Sequence, residues 1–591
     1  MKRKSFIVTL NQWRTKYIKD RNFLIIASII IGIAAGLVAV IMKASVHYIQ
    51  TQVKILGDNK RLEFLFYLFP LTGILLTVLF IHKVRKGNIG RGIANIIHSI
   101  SKRSGNIPPD NTYSHAISSA VTVGFGGSVG LEAPIVVTGS AIGSNIAGLF
   151  LMARKEKIIL LACGAAAGIS AIFNTPIAGV LFAMEVLLAE FSIPTFIPIL
   201  IASASGAVVS QALYKGHLLF PLTQNWKMEA LPFYILLGIS CGLLSVYFMR
   251  MYFWTEKKFS RQKNIYKKAL TGGLLLAGFI FLFPPLYGEG YVSITQLVNG
   301  QVASLLNNSL LEKFEINEYV IVAFIAAIVL VKVFATSITI GAGGNGGVFA
   351  PSLFAGALWG YAFARIMSMT GSAELSPENF IAAGMAGMLS GLVHAPLTGI
   401  FLIAEITGGY LLFIPLMIVS AISYFITKSI EPYSIYTGKL AQKGIRMDNK
   451  EAILLQNISL SDITEKDFPS VHAEDFFGQV IEKFTNCNKT IFPVLSDTKE
   501  FLGVILIDEV KPYLFNPEKH ENVKVKNVML KPSYKVNADE NMEKVMGMFD
   551  KSGYWYLPVI ENNRFIGFAS RRKLLDLIRV LVTDHHLSIN L

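Results

Sequence analysis

GGSVGLEAP at Gly126–Pro134 and GGNGGVFAP at Gly343–Pro351 decide how this chain folds. Each is a string of glycine and small residues ending in Ala-Pro, set inside long apolar surroundings. At one fixed offset Gly130, Ala133 and Pro134 fall on Gly347, Ala350 and Pro351, and Glu132 falls on Phe349. Glycine-rich turns closed by proline break a helix, and proline is tolerated in the first turn of the helix that restarts. The restarted helix presents unpaired N–H groups and the positive end of its dipole. Two such ends facing each other make an anion site without any fixed positive side chain. One string alone reads equally well as close helix packing; a matched pair favours the site.

A second pair of blocks repeats the pattern. GAAAGISAIFNTPIAGVLFAMEV (Gly164–Val186) aligns without gaps on GMAGMLSGLVHAPLTGIFLIAEI (Gly384–Ile406), so that Pro176 meets Pro396 and Glu185 meets Glu405. Repeats with Gly/Pro-interrupted apolar helices mark transport folds whose site lies between the repeats near mid-membrane.

Composition agrees. The chain is 52% hydrophobic and only 16% charged, where a soluble chain is nearer a quarter charged. Phe23–Met42 carries no charge and is long enough to cross roughly 30 Å of hydrocarbon as a helix. It reads as a retained first helix rather than a signal peptide. Leu65–Ile81, Leu231–Met249, Ala269–Pro285, Tyr319–Val331 and Leu411–Ile426 are further candidate spans. The net charge of +15 gathers beside these spans: Met1–Arg21 has seven Lys/Arg against one acid, and Arg250–Lys268 seven against Glu256. Positive loops stay in the cytoplasm, so the charge reads as topology, with the N-terminus inside, and not as nucleic-acid binding. Cys163, Cys241 and Cys487 fit no metal-ligand spacing, and no metal site is expected.

The character changes near Asp448. We expect a membrane domain over 1–447 and a soluble α/β domain over 448–591. In the latter, Thr490–Val510 parallels Tyr554–Leu574: each is a strand ending in Pro-Val, a turn, a strand with Gly, then a helix.

With these motifs in hand, the membrane part resembles the CLC family of chloride channels and proton-coupled chloride exchangers, from about Phe23 to Ile445. GLEAP (Gly130–Pro134) is similar to the family's GREGP, GVFAP (Gly347–Pro351) to GxFxP, and GRGIA (Gly90–Ala94) to GSGIP; PYSIY (Pro432–Tyr436) supplies a tyrosine. The resemblance implies an all-α multi-pass fold of broken helices in an inverted repeat, a homodimer in the lipid bilayer with one pathway per subunit, and chloride as the transported ligand. It makes Glu132 the gate. It assigns anion binding to Gly90, Arg91 and Gly92, to Leu131, to Val348 and Phe349, and to Tyr433. Fluoride-selective relatives lack the tyrosine, so Tyr433 argues for chloride-like ions.

The departures matter. Arg91 stands where the family has serine; it either adds a five-donor cation at the inner mouth or turns to the basic loop beside Lys83, Arg85 and Lys86. Leu131 replaces the motif's arginine, and Ala133 its second glycine. Exchangers carry two consecutive acids after FNTPIAGVLFAM; here they are Glu185 and Val186. Valine cannot relay a proton, which favours passive flow, gated by voltage or by pH, with Glu185 as either a substitute relay or a helix cap. The alternative is a proton-coupled antiporter using Glu132 and Glu185.

The soluble repeat is similar to a cytoplasmic tandem CBS pair, whose relatives often hold an adenine nucleotide. Its ribose-binding pattern is degraded to Ser570 and Glu509, so a nucleotide competes with a structural role. A CBS-bearing magnesium transporter would want intramembrane acids lining its path, and Glu132, Glu185, Glu190 and Glu405 are too few. No catalytic constellation or enzyme cofactor fingerprint is present.

Overall fold

The computed structural model describes residues 14, 16–57, 66–85, 89–90, 92–188, 193–214, 220, 225–312, 317–442, 458–485, 487, 489–498, 500–514, 516, 518–561 and 563–587. Arg91 and Glu190 lie outside the described residues, as does the Glu509 side chain. The chain divides into two compact units, Met1–Ile445 and Arg446–Leu591.

The first unit is helical. It runs α1 Asp20–Gly57, α2 Phe69–Arg85, α3 Gly92–Lys102, α4 Asn111–Gly124, α5 Glu132–Leu149, α6 Arg154–Phe173, α7 Pro176–Phe182 and α8 Ile193–Leu213. It continues with α9 Leu231–Ser260, α10 Ile265–Leu282, α11 Tyr291–Val298, α12 Glu318–Ala342, α13 Phe349–Met369, α14 Pro377–Val393, α15 Pro396–Ile406, α16 Phe413–Ile430 and α17 Gly438–Gln442. Among the described residues seven helices are long and apolar enough to cross a membrane. All six apolar runs singled out in the sequence fall largely on helices. Two spanning candidates, Arg154–Phe173 and Ile193–Leu213, were not among those runs, because Arg154–Lys157 opens the one and Gly, Ser and Ala dilute the other.

The repeat is visible helix by helix. α4 through α8 and α12 through α16 follow the same plan, with breaks at matching places. α6 ends on Asn174 and α14 on His394, both in the left-handed region at φ 60° and 59°, where Asn and His are the enriched non-glycine residues. Each is followed two residues later by the proline that opens the next helix. Packing repeats too: a Cβ on Gly139 would run into the Gly164 carbonyl, and one on Gly356 into the Gly384 carbonyl. Small residues at these crossings let the helix backbones approach closely.

The second unit holds two similar βαββα modules. In one, β2 Val471–His472 pairs parallel to β3 Ile491–Leu495, which pairs antiparallel to β4 Phe501–Leu506. In the other, β5 Val536–Asn537, β6 Tyr556–Glu561 and β7 Arg564–Ser570 repeat that pattern, and β1 Thr464–Glu465 adds antiparallel to β7. Both hairpins carry an irregularity at the same place, Val494/Leu495 and Val559/Ile560, so the Pro-Val and Gly spacing read in the sequence sets matching registers.

Candidate anion pathway

The two quoted loops meet. Gly130 N–H donates to the Gly347 carbonyl at 2.9 Å and Gly347 N–H to the Gly130 carbonyl at 2.8 Å, a single antiparallel bridge. The exchange is reciprocal, as it is across a local two-fold axis. It brings the N-termini of α5 and α13 together, each opened by Ala-Pro within its first turn.

Glu132 is the first residue of α5 and is buried. Its carboxylate reaches across the bridge, where Oε2 accepts from the Ala350 N–H at 3.4 Å. Oε1 accepts from the Tyr291 hydroxyl at 2.6 Å. A carboxylate of one half thus sits on a helix-start amide of the other.

A cavity of about 70 Å³ lies beside this point. Gly92–Ala94 at the start of α3, Gly346–Val348 at the start of α13 and Ala133 of α5 border it. These are helix N-termini, whose first amides lack intrahelical partners. Tyr436 also lines the cavity; it is buried, and its hydroxyl finds no hydrogen-bond partner among the described residues. Lys439, ion-paired to Glu256, is part of the same wall.

The expected residues divide accordingly. Gly92 and Val348 line the cavity, and Gly90 is not among its lining residues. The Phe349 ring is fully buried, with ring centroids 5.6 Å from Phe173 and 6.2 Å from Phe182; only its backbone belongs to the helix start. Leu131 caps α5, and its N–H donates to Glu289 Oε1 at 3.2 Å. Tyr433 is half-buried and is not among the residues of the cavity wall. The PYSIY segment turns so that Tyr436, three residues on, supplies the inward hydroxyl.

Glu185 does not face the cavity. It sits in a π turn, Ala183–Leu187, that prolongs α7. Its oxygens accept from Leu397 N–H at 3.1 Å, Thr398 N–H at 2.9 Å and the Thr398 hydroxyl at 2.8 Å. Glu405 does the same for α7, accepting from Ile177 N–H at 3.1 Å and Ala178 N–H at 2.8 Å. Val186, beside Glu185, is half-buried.

Three groups near Glu132 went unread in the sequence: Glu289, Tyr291 and Lys332. Lys332 is fully buried; its ammonium donates to Ser128 Oγ at 2.8 Å and the Gly288 carbonyl at 3.2 Å and lies over the Phe354 ring. A lone lysine inside an apolar helix was the available signal, since such residues are functional candidates by default.

In the second unit, buried Ser570 accepts from the Lys573 N–H at 3.4 Å and bonds the Glu465 carboxylate. Its hydroxyl serves the start of the last helix. A recess bordered by His472, Asp475 and Glu482 does not include Ser570.

Paired helix N-termini, a carboxylate between them and spanning helices define a transport-type membrane protein. The profile described as "Voltage gated chloride channel" matches residues 73–428, and a CBS domain profile matches residues 525–580. The chain therefore belongs to the voltage-gated chloride channel (CLC) family and is an integral membrane protein with a CBS region. It is 29% identical over 326 residues to an H(+)/Cl(-) exchange transporter of Vibrio campbellii, covering 53% of this chain and 66% of that protein. It is 35% identical over 324 residues to a chloride channel protein of Arabidopsis thaliana, covering 51% and 39%. The matched stretches thus span less than two thirds of either relative. A eukaryotic CLC transporter shares the fold at TM-score 0.62 and 18% identity, covering 93% of this chain and 97% of that one.

Proposed function

We infer that the chain conducts chloride-like anions across a membrane, along the row of helix N-termini, with Glu132 as the gate. The observation that carries this reading is the Glu132 carboxylate lying on the Ala350 amide of the opposite half. Ionised, it fills a position an anion would take; protonated, it loses its claim on that amide, and the helix dipole is free to hold a passing ion. Tyr436 takes the part expected of Tyr433, since a phenol donor with no other partner can bond an anion directly.

Flow is passive in this reading. Val186 breaks the internal relay, and every Glu185 oxygen is engaged in the α15 cap. A basic N-terminal segment supports a cytoplasmic N-terminus, and a homodimer follows from the family resemblance. The CBS region serves subunit contact rather than nucleotide binding, because the Ser570 hydroxyl is engaged within its own fold. The second reading, a proton-coupled antiporter, is favoured by the likeness to the Vibrio exchange transporter.

One experiment separates them. Purified protein in liposomes is given a chloride gradient while external pH is recorded. Chloride movement without uphill proton transport supports the channel; protons driven against their gradient establish the exchanger. Absence of anion flux would sink both.

A further inference from the structure

Glu289 occupies the α5 terminus in the way Glu132 occupies that of α13. It lies in Gly288-Glu289-Gly290-Tyr291, a turn whose two glycines have φ of 67° and 99°. That turn is fastened to the first quoted loop: Gly288 N–H donates to the Gly126 carbonyl at 3.1 Å, and Lys332 joins the Gly288 carbonyl to Ser128. A side chain at position 290 would run into the Phe354 ring, so the turn fits only as glycine. Fixed this way, one short segment delivers two side chains to the gate. Tyr291 bonds Glu132, and Glu289 Oε1 takes the Leu131 N–H at 3.2 Å.

We propose that Glu289 is a second tethered carboxylate that competes with a permeating anion for the Leu131 amide at the start of α5. The inference rests on the anion-conducting reading above. Its setting suits release rather than permanent pairing. The charged and titratable groups acting on it are Glu132 of α5, Lys43 of α1, Tyr214 after α8, Tyr291 of α11 and Lys332 of α12. The two ammonium groups direct their hydrogen bonds elsewhere: Lys332 to Ser128 and Gly288, and Lys43 to the Ala171 carbonyl at 3.3 Å. They attract an incoming anion and Glu289 alike. Glu289 is therefore held at its amide by one hydrogen bond and the attraction of Lys43 and Lys332, against the repulsion of Glu132. Ionised Glu132 and Glu289 also repel each other, so release of one loosens the other.

The test is anion efflux from liposomes at neutral and acidic pH for wild type, Glu132→Gln, Glu289→Gln, Glu289→Ala and the Glu132→Gln/Glu289→Gln double variant. Elution as a single symmetric peak checks folding of each. With two competing carboxylates, Glu132→Gln retains pH dependence that the double variant loses, and both Glu289 variants raise flux several-fold at neutral pH. If both Glu289 variants match wild type while Glu132→Gln alone abolishes pH dependence, Glu289 is scaffold and this inference falls, with Glu132 gating intact. If the wild type moves no anion, the underlying reading falls with it.

Discussion

The Tyr291 hydroxyl stands 2.6 Å from Glu132 Oε1 and holds that carboxylate by the oxygen that does not accept from the Ala350 amide. A hydrogen bond to an ionised group contributes about 1.5–3 kcal/mol. Tyr291→Phe keeps the ring, which packs edge-on to Phe173, and removes only the donor. The seated carboxylate is weakened, so anion efflux at neutral pH should rise by roughly tenfold or more, about 1.4 kcal/mol per decade. Unchanged efflux would mean that Tyr291 does not restrain the gate.

Tyr436 and Tyr433 make opposite predictions. Tyr436→Phe removes the phenol donor from the cavity wall while keeping the ring, and chloride affinity measured by calorimetry in detergent should fall about tenfold. Tyr433→Phe should leave affinity unchanged. The reverse pattern would return the anion-binding role to Tyr433.

Outside the membrane part, Glu474 is bonded by Lys524 and Lys526, each at 2.8 Å, and these ammonium groups hold its carboxyl down at about 2, against an ordinary 4.5. A depressed folded value means the pair stabilises above the unfolded value and loses that contribution as pH falls through the folded one. Amide exchange in the segment around Lys524–Lys526 should therefore speed up as pH drops from about 4.5 toward 2, after correction for intrinsic rates. Glu474→Gln should exchange faster already at neutral pH and lack that step. The group is exposed, so the effect is small and added salt should erase it.

What could be read from the chain was the part written in backbone chemistry. Gly130 and Gly347 lie in the breaks, and Pro134 and Pro351 in the first turns of the helices that restart, so the two matched breaks and the place of Glu132 follow from local rules. Which side chain turns inward is a tertiary question. Tyr433 and Tyr436 share one short motif, and only the path of the chain into α17 separates a wall residue from a peripheral one. Glu289 and Tyr291 matter because α11 begins beside α5, a juxtaposition that no spacing announces. Glu185 could be read as relay or cap; in the structure it accepts from three donors at the start of α15.

That cap gives the remaining prediction. Glu185 closes the start of α15 and Glu405 closes the start of α7, so each half carries the carboxylate that the other half's helix requires. Both helices open with proline and lack a side-chain cap of their own, leaving only the opposite half to satisfy their first amides. Removing a helix cap costs about 0.5–2 kcal/mol, and a carboxylate also complements the helix dipole. Glu185→Ala and Glu405→Ala should each lower the detergent melting temperature by a few degrees. Because both act at the junction of α7 with α15, the double variant should depart from additivity. A relay role predicts something different: Glu185→Gln, which keeps an acceptor oxygen for the cap, would abolish proton movement while melting like wild type. If Glu185→Gln instead leaves the ratio of chloride to proton flux untouched and lowers the melting point less than Glu185→Ala, the residue joins the two halves and takes no part in transport.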